Sequence, residues 1–172
     1  MIHRAVKAFG QGKLLNEFIP VPDALTETMS GSYGDDDKQR NLEAQQELNR
    51  QKYGYATWYD FCVGEWGTKW DVGGADDFTE QIDKNNVRFC FQSAWAPPVD
   101  AYSKLESLGF TVDAFYHEPG MAFCGRYSDG YDETYEYGSM TAEEIEAEVP
   151  DDINEMFGIS DSVREFENES DE

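Results

Sequence analysis

Apolar positions recur along the chain at two periods, and each period predicts elements. Trp58, Phe61, Cys62 and Trp66 fall at i, i+3, i+4 and i+8, a stripe that predicts a core-facing helix over residues 57–66, stopped by Gly67. Residues 38–53 predict a polar helix ended by Gly54, and its thin apolar content (Leu42, Ala44, Leu48) places it at the surface. Pro97-Pro98 opens a third helix through Leu108, with Val99, Tyr102 and Leu105 inward and Gly109 as its stop. Residues 87–93 alternate and predict a strand, as do residues 3–9 at the start of the chain. Residues 111–117, 121–127 and 132–137 predict three strands joined by Gly-containing turns, an antiparallel meander. Between these elements, residues 18–25 are punctuated by prolines and residues 26–37 read as a polar loop. Residues 71–74 form a Gly-rich turn, and the stretch from there to residue 86 is polar. Residues 141–149 and 151–157 predict short acidic helices, and residues 160–172 a frayed end. A helix between strands followed by a meander predicts an α+β fold with helices on one face of an antiparallel sheet, for which a ferredoxin-like split βαβ unit is the first choice. The expected division is a ferredoxin-like domain over residues 1–138 and an acidic C-terminal helical extension over residues 139–172.

Length and composition change this picture little. A chain of 172 residues buries a substantial core in one domain, and its 15% aromatic content is unlike that of a disordered chain. No apolar run approaches the roughly 18–20 residues of a membrane helix, and the start lacks a signal peptide's apolar stretch, so a cytoplasmic location is expected. Cys62, Cys90 and Cys124 are odd in number and include no Cys-x-x-Cys pair. Buried thiols in a reducing compartment are expected, with a bridge between two of them as the alternative.

Charge changes the picture most. Thirty-six acids against thirteen bases give a net charge of −23. The imbalance is concentrated: from Asp129 onward there are seventeen acids and one base, Arg164. Direct binding to nucleic-acid phosphates or to an anionic membrane is therefore disfavoured, and a cationic partner is favoured. The acids Asp129, Asp132, Glu133, Glu136, Glu143, Glu144, Glu146, Glu148, Asp151, Asp152 and Glu155 are interleaved with apolar residues, which predicts an ordered surface as far as Phe157. Tyr131, Tyr135, Tyr137, Ile145, Met156 and Phe157 are its expected apolar anchors. Carboxylates held on a folded surface can imitate a phosphate array, whereas plain solubility is the simpler reading of any acidic end.

Catalytic chemistry finds little support. The turn Trp66-Gly67-Thr68-Lys69-Trp70-Asp71 offers a close backbone approach, a point charge and a stacking face for a ligand. It lacks P-loop spacing, and the simpler reading is a helix-ending turn with Lys69 paired to an acid and Trp70 in the core. His117 and Glu118, with Asp60 and Glu65, could be assembled into an acid/base or metal site. Only two histidines exist, however, and strand neighbours point to opposite faces. No Gly-x-Ser-x-Gly elbow occurs, and no cysteine has a histidine beside it in a motif. No cofactor, metal or catalytic residue is predicted.

Four blocks carry a resemblance. They are residues 18–25 (FIPVPDAL), residues 52–71 (KYGYATWYDFCVGEWGTKWD), residues 93–98 (SAWAPP) and residues 118–125 (EPGMAFCG). In this order they resemble the YubB-like ferredoxin-fold family of conjugative plasmids and bacteriophages, and the Trp-Gly-Thr-Lys-Trp-Asp run is the most specific of them. The chain departs from that family in an abbreviated first strand and in its acidic end, which lies outside the blocks. The resemblance implies a fold and a mobile-element setting, without an activity. Together with the charge, it leads us to expect a phage- or plasmid-encoded accessory protein. Such a protein would inhibit a host defence or nucleic-acid-processing complex by binding a basic protein or nucleoprotein surface. A small enzyme or nucleotide-binding module built on the 67–71 turn is the alternative.

Overall fold

The computed structural model describes residues 1–170 and divides into two compact units, Met1–Leu108 and a second that begins at Gly109. The class is mixed α+β, with two small antiparallel sheets, one in each unit.

The first unit opens with three short helices, α1 (Ile2–Phe9), α2 (Leu14–Phe18) and α3 (Asp23–Thr26). The strand expected over residues 3–9 is thus a helix. Its buried residues, Ala5, Ala8 and Phe9, lie at i, i+3 and i+4, which is a helical stripe that alternation cannot produce. Two longer helices follow, α4 (Asp36–Tyr53) and α5 (Trp58–Trp66). Asp35 caps α4 by accepting from the backbone N–H of Asp37 and Lys38 at 3.1 and 3.0 Å, and Thr57 and Asp60 form a reciprocal capping box on α5. Helix α4 is mostly solvated, as expected, but it buries Leu42 and Asn49. The Asn49 amide donates to Thr28 Oγ1 at 2.9 Å and to the Ala56 carbonyl at 3.0 Å, so its burial leaves both donors satisfied.

Strand β1 (Phe78–Gln81) lies in ground the sequence showed only as polar, and it pairs antiparallel with β2 (Val87–Cys90), Phe78 opposite Cys90. Pairing rather than periodicity makes β1 a strand, and Asp83 closes the turn by accepting from the N–H groups of Asn85 and Asn86. In β2, Val87 and Phe89 are half-buried while Arg88 and Cys90 are exposed, so the expectation of a buried Cys90 thiol is corrected. Helix α6 (Val99–Ser107) completes the unit and buries Ala101, Tyr102 and Leu105. The core gathers Phe9, Leu15, Leu25, Cys62, Trp66 and Val72, with Phe9 stacked on Phe89 at 4.3 Å between ring centres.

The second unit is the predicted meander: β3 (Asp113–Glu118), β4 (Phe123–Ser128) and β5 (Tyr131–Glu136), in the order β3-β4-β5. Asp129 and Gly130, with φ of 51° and 79°, make the tight Asp-Gly turn between β4 and β5. Three helices follow: α7 (Ala142–Glu148), α8 (Asp151–Phe157) and α9 (Ile159–Ser170). One face of the meander packs Phe115, Cys124, Tyr135 and Tyr137 against Ile145, Val149, Ile153 and Ile159 from these helices. Side chains from Met140 to Ile159 thus help to form the core of this unit, which begins at Gly109. The fray expected from residue 160 is instead α9 as far as Ser170. Val163 packs on the core, and Glu167 accepts from the Ala142 N–H at 3.2 Å. Residues 171–172 lie outside the described residues.

Candidate functional site

All eleven acids singled out over residues 129–155 are exposed on ordered elements. Their roles differ. Glu144 is spent on the capping box of α7, where it accepts from the Thr141 N–H at 2.8 Å. Asp152 receives Arg126 at 3.1 Å, while Asp113 holds the same guanidinium through both carboxylate oxygens at 2.9 and 3.0 Å. Glu146 pairs with Arg164. Asp132 accepts from the Tyr116 hydroxyl at 2.8 Å. Glu136, Glu143, Glu148, Asp151 and Glu155 carry no ion pair or side-chain hydrogen bond among the described residues.

Strand alternation also sorts the acids by face. Asp132 and Glu136 share the β5 face of Thr134, whereas Glu133 shares the face of Tyr135 and Tyr137, over which the helices pack. The array is therefore not one continuous surface. Its densest part is the solvent side of α7 and α8. Of the expected apolar anchors, Ile145 is fully buried and Tyr137 nearly so, which removes both from contact with a partner. Tyr135 and Phe157 are half-buried, and only Tyr131 and Met156 are broadly exposed.

The unit has nineteen acids and two bases, Arg126 and Arg164, and both arginines are consumed internally. What remains outward is uncompensated negative charge on capped, packed helices. Chemically this can steer and hold a cationic surface.

The chain matches no family model, no curated protein and no solved structure.

Sheet pairing brings His117 directly opposite Cys124, a juxtaposition no sequence motif signalled. It is not a nucleophilic pair: Cys124 is fully buried and burial pushes its thiol up. His117 Nε2 shares a 2.5 Å hydrogen bond with the Tyr137 hydroxyl, and its ring lies 5.1 Å from that of Phe157. Burial holds His117 below the usual histidine value, against the pull of Glu118. Folding thus favours neutral imidazole. The contribution of His117 to stability is complete above its unfolded value of 6.5 and is lost as pH falls through the depressed folded value. The expected result is that acidification below pH 6.5 destabilises the wild type relative to His117→Phe. Amide exchange of β4 at several pH values checks this, and parallel profiles would refute it.

Asp60 and Glu65 belong to the other unit. Asp60 is held by Thr57, and Glu65 accepts from Tyr55 and Lys104. Burial works against the Glu65 carboxylate, but these two hydrogen bonds outweigh it and hold its pKa low, while Tyr55 is pushed up to about 12 by its bond to Glu65. Among the described residues no group of three or more His, Cys, Asp or Glu could hold a metal ion.

The 66–71 turn ends α5 as expected, but without the expected Lys69 ion pair or a buried Trp70. Trp66 is core, its indole N–H donating to the Ile19 carbonyl at 3.0 Å. Gly67 ends α5 in the left-handed region at φ 76°. Thr68 is 2% exposed and clasps Ala94: its hydroxyl donates to the Ala94 carbonyl at 3.0 Å and accepts the Ala94 N–H at 3.1 Å. Asp71 does not pair with Lys69 but caps α2, accepting from the N–H groups of Leu15 and Asn16 at 2.7 and 2.9 Å. Trp70 is 54% exposed instead of buried. Sequence reasoning did not place Tyr59 or Trp95 beside Lys69. Trp95 is 67% exposed at φ 70°, a conformation that costs a bulky residue about 1–2 kcal/mol.

Proposed function

We propose that this protein acts by binding. Its C-terminal unit presents an ordered anionic surface to a basic protein or nucleoprotein complex that handles nucleic acid. The observation that supports the reading is the set Glu143, Glu148, Asp151 and Glu155: exposed, on folded helices, and without a cation of their own. Charges fixed on a packed scaffold pay little ordering entropy on association, and they steer a cationic partner at a salt-dependent rate. The same field works against direct binding of nucleic acid or an anionic membrane. No helix of the described residues is long and apolar enough to cross a membrane.

The resemblance to YubB-like proteins supplies the setting of this proposal, an accessory protein of a phage or plasmid acting in the host cytoplasm. Occupying the partner's cationic DNA-binding groove would then inhibit a host defence or nucleic-acid-processing complex. The ferredoxin-like arrangement is part of the same proposal. Helix α6 between a hairpin and a meander supports it, and the separate hydrogen bonding of β1–β2 and β3–β5 counts against it.

The structure chooses the residues for the test. Reversing Glu144 or Glu146 would disturb a cap or the Arg164 pair, so the informative variant is Glu143→Lys, Glu148→Lys and Glu155→Lys together. The wild type, immobilised at roughly 50 mM salt, is expected to retain a basic nucleic-acid-processing protein from host lysate and to release it at about 0.5 M. The triple variant is expected to bind it at least about tenfold more weakly. Duplex DNA should compete with the wild type for that partner. Equal retention by the triple variant, or retention indifferent to salt, would sink the reading.

A further inference from the structure

Two exposed tryptophans and a half-buried tyrosine of the first unit are gathered around one cation. Lys69 Nζ lies 4.1 Å from the Trp70 ring centre, 5.2 Å from that of Trp95 and 5.9 Å from that of Tyr59. The Tyr59 and Trp95 rings meet edge to face at 6.2 Å. Three separate segments supply these groups: helix α5, the turn that follows it, and the connection between β2 and α6. The buried Thr68 clasp on Ala94 holds the last two together, and the Ser93 hydroxyl fastens the turn around Trp95 by donating to the Ala96 carbonyl at 2.7 Å. The cluster is thus built from below, not left over at a loop tip.

Cation–π contact with Lys69 gathers the rings but leaves the indoles open to solvent. Single exposed aromatics are ordinary, but here two indoles, 54% and 67% exposed, flank the same ammonium. One of them sits in a left-handed backbone conformation that bulky residues avoid, and such conformations gather at ligand clamps. In a chain with 36 acids, Lys69 has no carboxylate partner among the described residues. The three acids of α5 and the turn after it are engaged elsewhere, Asp60 with Thr57, Glu65 with Tyr55 and Lys104, and Asp71 with backbone N–H groups.

The chemistry of the occupant follows. A quaternary ammonium is excluded, because the protein's own ammonium already fills the aromatic surround. A nucleic-acid strand is disfavoured, since a net charge of −23 repels each added phosphate. A planar ring with a single anionic group meets both requirements, the ring against an indole face and the anion on the Lys69 ammonium.

We infer that Lys69, Trp70, Trp95 and Tyr59 form a binding site for a small planar aromatic anion of mononucleotide size, separate from the acidic surface. The test titrates the full chain with adenosine monophosphate, adenosine or inorganic phosphate, following the four indole N–H signals by NMR. Adenosine monophosphate is expected to shift the Trp70 and Trp95 signals with a Kd near or below about 1 mM, leaving buried Trp66 unmoved. Lys69→Gln, which removes the charge and keeps a polar side chain, should weaken binding about tenfold or more, and Trp95→Ala should weaken it similarly. Adenosine should bind correspondingly less well, and inorganic phosphate alone should not shift the indoles. The inference is overturned if no indole moves up to about 10 mM nucleotide. It is equally overturned if Lys69→Gln binds as the wild type does, or if adenosine binds as tightly as its phosphate.

Discussion

Gly125→Ala is expected to destabilise the C-terminal unit by about 3 kcal/mol or more. Gly125 sits in β4 opposite Tyr116 on one side and Thr134 on the other. A Cβ there would lie 2.2 Å from the Glu133 carbonyl oxygen and 2.3 Å from the Tyr116 hydroxyl. The Tyr116 ring covers the space where a side chain would be, and its hydroxyl donates to Asp132 and meets Thr134 Oγ1 at 2.6 Å. The clash therefore involves backbone and an anchored ring, neither of which moves without breaking hydrogen bonds. All four tryptophans lie in the first unit, so tyrosine near-ultraviolet dichroism and β4 amide exchange are the readouts for the second. Gly34→Ala, with nothing within 4 Å of its Cβ, is the control and should change stability by less than about 0.5 kcal/mol. A Gly125→Ala protein as stable as that control would refute the packing described for Tyr116.

The second large effect concerns Asp71. Asp71→Ala is expected to cost about 3 kcal/mol, and Asp71→Asn about 1–2 kcal/mol. One carboxylate oxygen accepts from the N–H groups of Leu15 and Val72, and the other from Asn16. Alanine leaves all three donors without a partner in a part-buried place. Asparagine keeps the first oxygen but turns an NH2 toward the Asn16 N–H, donor against donor. Burial raises the Asp71 carboxyl above its ordinary value, more than the three backbone donors and Lys13 lower it. The folded chain therefore holds that proton more tightly than the unfolded one. Asp71 alone makes stability rise as pH falls through the carboxylate range and decline as pH rises through it. Urea unfolding followed by tryptophan fluorescence, at several pH values, tests both the order of the variants and the loss of this slope in Asp71→Asn. If the alanine and asparagine variants proved equal, the shared-oxygen geometry would be wrong.

The candidate sites were legible in the sequence to unequal depth. The acids of residues 129–155 declared themselves by density, and their exposure follows from charge. Which of them are already engaged did not show, because Arg126 reaches Asp152 and Arg164 reaches Glu146 across the fold. Ile145 and Tyr137 looked like anchors beside the acids, yet those are the positions whose spacing turns them into the core. Lys69 and Trp70 were visible as neighbours, while Tyr59 and Trp95 were ten and twenty-six residues away from Lys69 and joined it only through folding.

The sequence by itself determined what local physics controls. The apolar stripe over 58–66 with its Gly67 stop, the acidic run at 141–149, the alternation of the meander and its Gly-containing turns placed α5, α7, β3, β4 and β5. Each depends on residues within about one turn of each other, so a linear reading suffices. Tertiary structure decided what depends on distant partners. It made a helix of residues 2–9 by burying Ala5, Ala8 and Phe9, and a strand of polar Phe78–Gln81 by pairing it with β2. It also capped α2 with a carboxylate from Asp71, fifty-five residues from Asn16. The physical reason is common to all of them: a buried stripe, a ladder partner or a borrowed cap exists only once the chain has closed the loop that supplies it.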